Sequence, residues 1–378
     1  MGDGRPAPGY EPEYWYDARN YRDDIGEPLW EWYRSGMDTR VSENEIEEIH
    51  DRSITREDTW AGNITDKALA FLEDARTDAQ PFFLAVNYDE PHEPSLCPPP
   101  FCDRYRDLRY PLPANFETVS ELAEHGKPRR QQAFAKAYAE GRCFMDSLSD
   151  ASENGGISRP LYFGCVEFVD AEIGRLLDRA PPSETLVGFT ADHGHYLGAH
   201  GLDLKHFALY EEVTNVPLLL RGPSLPEDVV SHALVSLVDL VPTICEVASA
   251  RNPTNGDGRS FLEVARKPDE SHREVALIEH NGYGQARTDG DGFYPVRSLV
   301  SADGYKLTVN LLDSDEFYDL QADPDECRNL ISDGTHADRR DELHDRLLTE
   351  MTETNDPFHG QAWAARDWRD VADATHPG

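Results

Sequence analysis

The chain has 378 residues, of which 39% are hydrophobic, and this length suffices for one large domain and a smaller one. Its 72 acidic residues outnumber 36 basic ones, giving a formal net charge of −36, whereas duplex nucleic acid requires a basic binding surface. No apolar run approaches the roughly 20 residues of a membrane-spanning helix, so we expect neither a nucleic-acid nor a membrane partner.

The N-terminal 60 residues are aromatic, acidic and poorly periodic, and we expect an irregular arm with one helix near residues 42–51. Three amphipathic patterns downstream predict helices over residues 66–75, 130–144 and 161–180. In the last of these helices the apolar side chains are predicted to form one buried stripe: Phe163, Val166, Val169, Ile173, Leu176 and Leu177. The apolar run 82–87, bounded by prolines, predicts a strand.

The second half of the chain changes texture twice. Two almost wholly apolar runs, residues 185–191 and 216–222, are typical of strands covered on both faces in a parallel sheet. Residues 231–250 predict a pair of helices broken at Pro242. Beyond residue 266, alternating segments joined by Gly/Asp turns predict a small antiparallel sheet, closed by a helix over residues 338–352.

These elements predict an α/β fold with a mixed, mostly parallel central sheet flanked by helices and a small C-terminal antiparallel sheet. The predicted segments are an N-terminal arm (1–60), an α/β domain (61–265), a C-terminal α+β subdomain (266–354) and a loosely held polar tail (355–378).

Acidic residues are spread along the whole chain, and only six of its basic residues are lysines. This composition resembles that of proteins from salt-loving microbes, in which salt screens self-repulsion; an acidic mesophilic surface is the alternative. The six cysteines show no C-x-x-C pair and no metal-finger spacing, which predicts reduced thiols and a cytoplasmic location.

One candidate site follows the predicted strand 185–191. Asp192, His193 and Gly194 come directly after it, and sites in open parallel sheets form beyond the carboxyl ends of strands. Carboxylate and imidazole suit a divalent cation, and a glycine permits a sharp turn or a close approach of the backbone to a ligand. An ordinary strand-to-loop turn is the alternative interpretation.

The same loop carries three further candidates: His200, Lys205 and His206. An ammonium group near a divalent cation could hold a doubly charged tetrahedral oxyanion such as sulfate or phosphate. A lysine in a solvated surface loop is the alternative. His92 stands between two prolines after the run 82–87, where it could protonate a leaving group or bind an oxyanion, or could be a surface histidine.

Five blocks of this chain, in the same order, resemble the sulfatase family of the alkaline-phosphatase superfamily. They are PFFLAVNYDEPHEP, YFGCVEFVDAEIGRLLD, FTADHGHYLGAHGLDLKH with LYEEVTNVPLLLRGP, SLVDLVPTICEVA and EFYDLQADPDECRNL. The resemblance covers roughly residues 65–350.

The resemblance implies hydrolysis of a small-molecule sulfate ester with one divalent metal ion. Calcium is the first expectation, with magnesium or manganese as alternatives. By motif position, Asp192 and His193 would be metal ligands, and His92 and Lys205 would contact the sulfuryl group and its leaving-group oxygen. His206 is a lesser catalytic candidate and His200 a lesser substrate-binding candidate.

The chain also departs from the family pattern. The family's paired aspartates after an early strand and its C/S-x-P-x-R nucleophile motif have no counterpart here, and Cys97 lies on the wrong side of the His92 block. We therefore expect an N-terminally truncated or split member that is inactive alone, with a separate N-terminal sulfatase segment as a possible partner. A non-catalytic pseudo-sulfatase and a related phosphonate or phosphate ester hydrolase are the alternatives.

Overall fold

The computed structural model describes residues 18–38, 45–78, 81–92, 95–140, 159–181, 183–205, 207–253, 256–282 and 293–369. The chain forms two compact units, one made of residues 1–112 with 138–185 and the other of residues 113–137 with 186–378. The units interleave along the chain. The four segments predicted from the sequence stay a prediction.

Helices predominate in both units. In chain order they are α1 (Ala18–Ile25), α2 (Glu27–Asp38), α3 (Glu45–Asp51), α4 (Trp60–Asp78), α5 (Phe101–Arg104), α6 (Val119–Glu124), α7 (Arg129–Ala139), α8 (Pro160–Leu177), α9 (Glu211–Thr214), α10 (Leu240–Val247), α11 (Leu262–Arg266), α12 (Ala337–Glu353) and α13 (Gln361–Ala364). The strands are β1 (Val187–Thr190), β2 (Leu218–Arg221), β3 (Val275–Gly282), β4 (Phe293–Ser301), β5 (Tyr305–Asn310) and β6 (Glu316–Asp319).

The predicted helices near 42–51, 66–75, 130–144, 161–180 and 338–352 appear as α3, α4, α7, α8 and α12, although residues 141–150 lie outside the described part. The arm also contains α1 and α2, which its weak periodicity did not indicate. No described helix combines the length and the apolar character needed to cross a membrane.

Helix α8 buries a different face from the predicted stripe. Its buried positions are Leu161, Gly164, Cys165, Phe168 and Glu172, whereas Val166 is 47% exposed. Gly164 belongs to this face because an added Cβ would lie 2.6 Å from the carbonyl oxygen of Phe101. The backbones of α8 and α5 therefore approach closely at Gly164, and the Phe168 ring packs on Phe101 of α5 with the centroids 5.2 Å apart.

The predicted strand at residues 82–87 is wrong: the described run 81–89 has no strand assignment. Its residues are held by side-chain bonds to the start of α4 instead, since Trp60 Nε1 donates to the Asn87 carbonyl at 2.9 Å and Tyr88 Oη lies 3.0 Å from Thr65 Oγ1. Phe82 and Phe83 are 43% and 54% exposed. The residues of this run still alternate between exposed and half-buried positions, although no described residue of this unit pairs with them in a sheet.

In the second unit, β1 and β2 form where the apolar runs predicted them, but they pair antiparallel. The expected parallel direction is therefore wrong for this pair. Phe189 and Leu219, which face each other across the ladder, are 42% and 59% exposed. The expectation of strands covered on both faces fails here, within the residues that the structure describes.

Pro242 does not break a helix. A short 3-10 turn at Leu237–Asp239 leads into α10, and Pro242 lies in the first turn of α10, where its missing N–H costs no intrahelical hydrogen bond.

The predicted C-terminal antiparallel sheet is confirmed, with the strand order β3-β4-β5-β6. Helix α12 packs on it through Leu343, Leu347 and Met351, which share a core with Leu299 of β4. The tail is not loose throughout, because Trp363 of α13 is 1% exposed in the same core. Trp363, together with the partly buried Phe358 and Trp368, anchors this otherwise polar segment on the core.

Candidate metal and anion site

Asp192 and His193 follow the end of β1 and have adjacent side chains. Asp192 Oδ1 accepts a hydrogen bond from the His193 backbone N–H at 2.9 Å, and Asp192 Oδ2 lies 3.5 Å from His193 Nε2. The Asp192 side chain is 87% exposed and that of His193 36%. The carboxylate and the imidazole therefore present one oxygen and one nitrogen toward the same accessible space.

The second ring nitrogen of His193 has a backbone partner. His193 Nδ1 lies 2.9 Å from the carbonyl oxygen of Gly194, an acceptor that requires Nδ1 to carry the proton. The lone pair of the neutral ring is then on Nε2, the atom that faces Asp192. Metal-ligating histidines are commonly oriented by such a hydrogen bond on the far nitrogen.

Gly194 fits the site because the backbone of α9 lies against it. Its N–H donates to the Val213 carbonyl at 2.9 Å, and an added Cβ would lie 1.9 Å from the Glu212 carbonyl oxygen. No real Cβ tolerates that distance, so this position excludes every side chain. The structure therefore shows a close approach of this glycine to the backbone of α9, and the close approach to a ligand considered from the sequence stays a prediction.

The chain beyond Gly194 folds back on itself. Tyr196 N donates to Leu204 O at 2.9 Å and Gly198 N to Leu202 O at 2.9 Å, so both limbs of the loop are joined. Leu204 has a φ of 58°, and half-buried Lys205 follows it. The backbone at Lys205 is thus returned toward the start of the loop. His206 lies outside the described residues.

His200, a substrate-binding candidate from the sequence, is fully buried. Its ring stacks on Tyr210 with centroids 3.7 Å apart, and its Nδ1 and Nε2 lie 3.6 Å from Glu117 and Glu212 carboxylate oxygens. Asn115 Nδ2 lies 3.1 Å from Nε2. These neighbours enclose the ring and hold it within the loop, and the substrate-binding role expected of His200 stays a prediction.

The charges around His200 stabilise one another. Burial alone would lower the pKa of His200, but the facing carboxylates of Glu117 and Glu212 raise it above its ordinary value. Burial would likewise raise the pKa of Glu212, yet His200 and the Asn115 amide lower it to about 2. The loop is therefore fixed by buried electrostatic contacts that sequence spacing did not reveal.

A second buried network fixes α9 beneath the turn at Gly194. Lys306 Nζ lies 3.0 Å from Glu211 Oε1 and 3.0 Å from Glu326 Oε1, and the Glu211 N–H donates to Glu326 Oε2 at 2.7 Å. Lys127 is also buried and donates to Tyr318 Oη at 2.7 Å. Neither Lys306 nor Lys127 was among the candidates taken from the sequence, although the rarity of lysine in this chain could have pointed to both.

His92 belongs to the other unit, so its convergence with Asp192 stays a prediction. Its side chain is exposed, and its backbone N–H donates to the Asp89 carbonyl at 2.9 Å in a turn. The neighbouring Glu90 is buried and accepts a hydrogen bond from Ala61 N at 3.0 Å, at the start of α4. Burial raises the pKa of Glu90 to about 8, opposed by its backbone hydrogen bonds.

Asp192 and His193 suit a divalent cation in residue type and orientation, but they supply two ligands only. Within the described residues, no third His, Cys, Asp or Glu brings a ligand atom within 4.8 Å of both. Such a pair forms part of a coordination shell, and further protein ligands or water would have to complete it.

Comparison with known proteins gives a consistent result. The family described as "Sulfatase" matches residues 7–250, and the family described as "N-sulphoglucosamine sulphohydrolase, C-terminal" matches residues 198–353. An uncharacterized sulfatase of Escherichia coli K12, YidJ, is 34% identical over 372 residues, which cover 98% of this chain and 69% of that protein.

Other relatives are matched over a smaller share of their length. The chain covers 46% of a sulfatase of Formosa agariphila at 28% identity, and 35% of a Δ4,5-hexuronate-2-O-sulfatase of Bacteroides thetaiotaomicron at 31% identity. The chain thus spans half or less of the length of these two curated relatives.

Among solved structures, a phosphonate monoester hydrolase of Silicibacter pomeroyi has a TM-score of 0.67 at 25% identity, covering 80% of this chain and 61% of that one. A protein solved with its substrate D-glucosamine-2-N,6-O-disulfate has a TM-score of 0.62 at 23% identity, covering 79% and 70%. The second likeness supports the fold alone.

Proposed function

Because the chain belongs to the sulfatase family, we propose that it is the downstream part of a metal-dependent hydrolase of sulfate esters. The family membership follows from the match over residues 7–250 and from the 34% identity to the Escherichia coli relative. Membership supports sulfate ester hydrolysis as a family activity, whereas the substrate and the roles of single residues in this chain are proposals.

The observation that carries the proposal is the arrangement of Asp192 and His193. The hydrogen bond from His193 Nδ1 to Gly194 O leaves Nε2 as the ligand atom, 3.5 Å from Asp192 Oδ2. We propose that these atoms bind one divalent cation, calcium first, with magnesium or manganese as alternatives. When bound, the ion would supply positive charge toward the oxygens of a sulfuryl group.

We propose that the remaining candidate residues act on the sulfuryl group and its leaving-group oxygen. Lys205 would neutralise a sulfuryl oxygen with its ammonium group, and His92 would give a proton to the leaving-group oxygen. His206 is a further candidate for this proton transfer. Within the loop, buried His200 would act indirectly, by fixing the backbone that returns Lys205.

We also propose that this chain lacks the nucleophile and cannot turn over alone. No C/S-x-P-x-R motif occurs in the sequence, and covalent catalysis needs an attacking group that positioning cannot replace. A separate or upstream segment of the kind found in the longer relatives would have to supply it.

Exposed apolar surface on the second unit supports such a partner segment. Phe189 and Leu219 are exposed on the β1–β2 pair, whose strands pair only with each other in the described part of the chain. A further exposed set lies at the start of α10 and along it: Leu237, Val238, Val241, Ile244 and Val247. Unpaired strand edges and contiguous apolar residues are usually covered in a functional protein.

We propose a cytoplasmic setting at high salt. The five described cysteines are all free, and the net charge of −36 would be screened by salt. A phosphonate or phosphate ester hydrolase is the second candidate activity, supported by the TM-score of 0.67 to the Silicibacter pomeroyi enzyme. A binding protein without catalysis is the third.

The first experiment assays purified chain on an aryl sulfate and an aryl phosphonate, with calcium, magnesium or manganese in molar salt. We expect no turnover by the chain alone, and turnover after an N-terminal sulfatase segment with C-x-P-x-R is added. Robust metal-dependent turnover by the chain alone would mean that the nucleophile is within it. The preferred ester in the complemented enzyme distinguishes the first two activities.

The second experiment separates the metal role from the anion role in the complemented enzyme. Asp192→Ala should abolish metal binding in a calorimetric titration, whereas Lys205→Ala should leave it intact and weaken sulfate binding. Lys136→Ala is the matched control, because Lys136 is an exposed lysine of the same unit. Loss of the metal in both site variants, or in neither, would contradict the proposed division of roles.

A further inference from the structure

His50, Cys102 and Asp103 lie together in the first unit, at a place that the proposed hydrolysis does not use. His50 is in the last turn of α3, and the other two residues are in α5. One ligand atom from each lies within 4.8 Å of the other two. His50 Nε2 is 2.9 Å from Asp103 Oδ1 and 3.0 Å from Oδ2.

The three atoms are held by elements that share one hydrophobic core. Ile46 and Ile49 of α3 are buried in the same cluster as Cys102, which fixes the face of α3 that carries His50. The Cys102 side chain is fully buried, whereas the side chains of His50 and Asp103 are 45% and 39% exposed. The cluster is closed on its core side and open to solvent on the other.

The donor set selects among metals. In a tetrahedral site with bonds of about 2.0–2.3 Å, neighbouring donor atoms are roughly 3.3–3.8 Å apart, a spacing that small side-chain rotations could reach here. Thiolate, which the Asp192–His193 pair lacks, favours zinc and similar borderline ions over calcium or magnesium, which prefer oxygen. Three protein ligands with an open side leave one position for water.

Nearby charges do not prevent occupation by a cation. Arg106 Nη2 lies 3.3 Å from Asp103 Oδ1, but Arg106 also pairs with Glu47 and can keep that partner. Burial and the charge of Asp103 raise the pKa of the Cys102 thiol to about 12, so a metal would have to displace its proton. The strongly acidic chain attracts cations to its surface.

We propose that His50, Cys102 and Asp103 form a zinc-class metal site that ties α3 to α5, separate from the calcium-type site proposed at Asp192 and His193. Its role would be structural, because three ligands from two elements of one unit would fix their relative position.

Cobalt(II) is the probe, since a cobalt–thiolate bond gives a charge-transfer band in the near ultraviolet. Metal-stripped full-length chain should bind one equivalent of cobalt with this band, and zinc should displace it. His50→Gln keeps a partly exposed position polar and should weaken cobalt binding by at least about 10–100-fold, the loss typical when only an outer-shell partner of a metal ligand is removed. Cys102→Ser should abolish the band.

Two matched variants complete the test. Cys327→Ser removes a half-buried free cysteine of the other unit and should keep the band. Asp192→Asn should also keep the band. The outcome of this test therefore does not depend on whether the metal site proposed at Asp192 and His193 exists. The proposal is overturned if no thiolate band appears, or if His50→Gln binds cobalt as tightly as the unaltered chain. Circular dichroism confirms that each variant is folded before titration.

Discussion

Replacement of Gly194 by alanine should destabilise the second unit and weaken the proposed metal site together. The new Cβ would lie 1.9 Å from the Glu212 carbonyl oxygen and 3.0 Å from its carbon, and both are backbone atoms. The turn or α9 must therefore shift by more than an ångström. Overpacking of this kind costs about 1–3 kcal/mol. Loss of the 2.9 Å bond from Gly194 N to Val213 O adds about 1 kcal/mol.

The expected total is a loss of about 2–4 kcal/mol in the free energy of unfolding, measured by urea denaturation in molar salt. Calcium affinity, measured by calorimetry on the folded variant, should fall because His193 is oriented through the Gly194 carbonyl. Gly188→Ala is the matched control in β1, where an added Cβ meets only Leu220 Cδ2 at 3.5 Å. If both alanine variants unfold alike, the close approach at Gly194 is not what this position requires.

Three further predictions concern the interior of the two units. Lys306→Met should lower the free energy of unfolding by about 3–5 kcal/mol, because it leaves the Glu326 carboxylate buried without its ammonium partner. A second change, Glu326→Gln, should recover most of that loss. If the costs of the two changes add in the double variant, the pairing is refuted. Because burial raises the pKa of Glu90 from 4.5 to about 8, the folded state holds this proton more tightly, and stability should fall by up to ~5 kcal/mol as pH rises from about 4.5 through 8. Glu90→Gln should flatten that decline in a series of melting temperatures, and an unaltered chain with no decline would contradict the shift. Gly174→Ala, in the interior of α8 with nothing within 4 Å of the new Cβ, should stabilise the chain by about 0.5–1 kcal/mol in the same urea assay, and a loss of stability would show a contact at this position that the structure lacks.

The sequence by itself determined the elements whose signal is local. Helices α4, α8 and α12 have apolar periodicity over three or more turns. Strands β3 to β6 come from segments of alternating residue character that are joined by Gly/Asp turns. The positions of these elements could therefore be predicted. The five sulfatase-like blocks likewise placed the chain in its family, because each block preserves residue types at fixed spacing. Asp192 and His193 could be singled out for the same reason.

Only the tertiary structure decided which faces are buried and which strands pair. The stripe predicted on α8 was wrong because its buried face includes Gly164, where the backbone of α5 lies close, and Glu172, neither of which apolar periodicity singles out. Strand direction in the β1–β2 pair, and the absence of a ladder at residues 82–87, depend on partners distant in sequence. The burial of His200 has a related cause: it depends on the carboxylates of Glu117 and Glu212, which are far apart in the chain and could not be read from the loop sequence. Local sequence patterns reflect the secondary-structure propensity of a segment. Burial and strand pairing depend instead on contacts that the chain makes after it has folded.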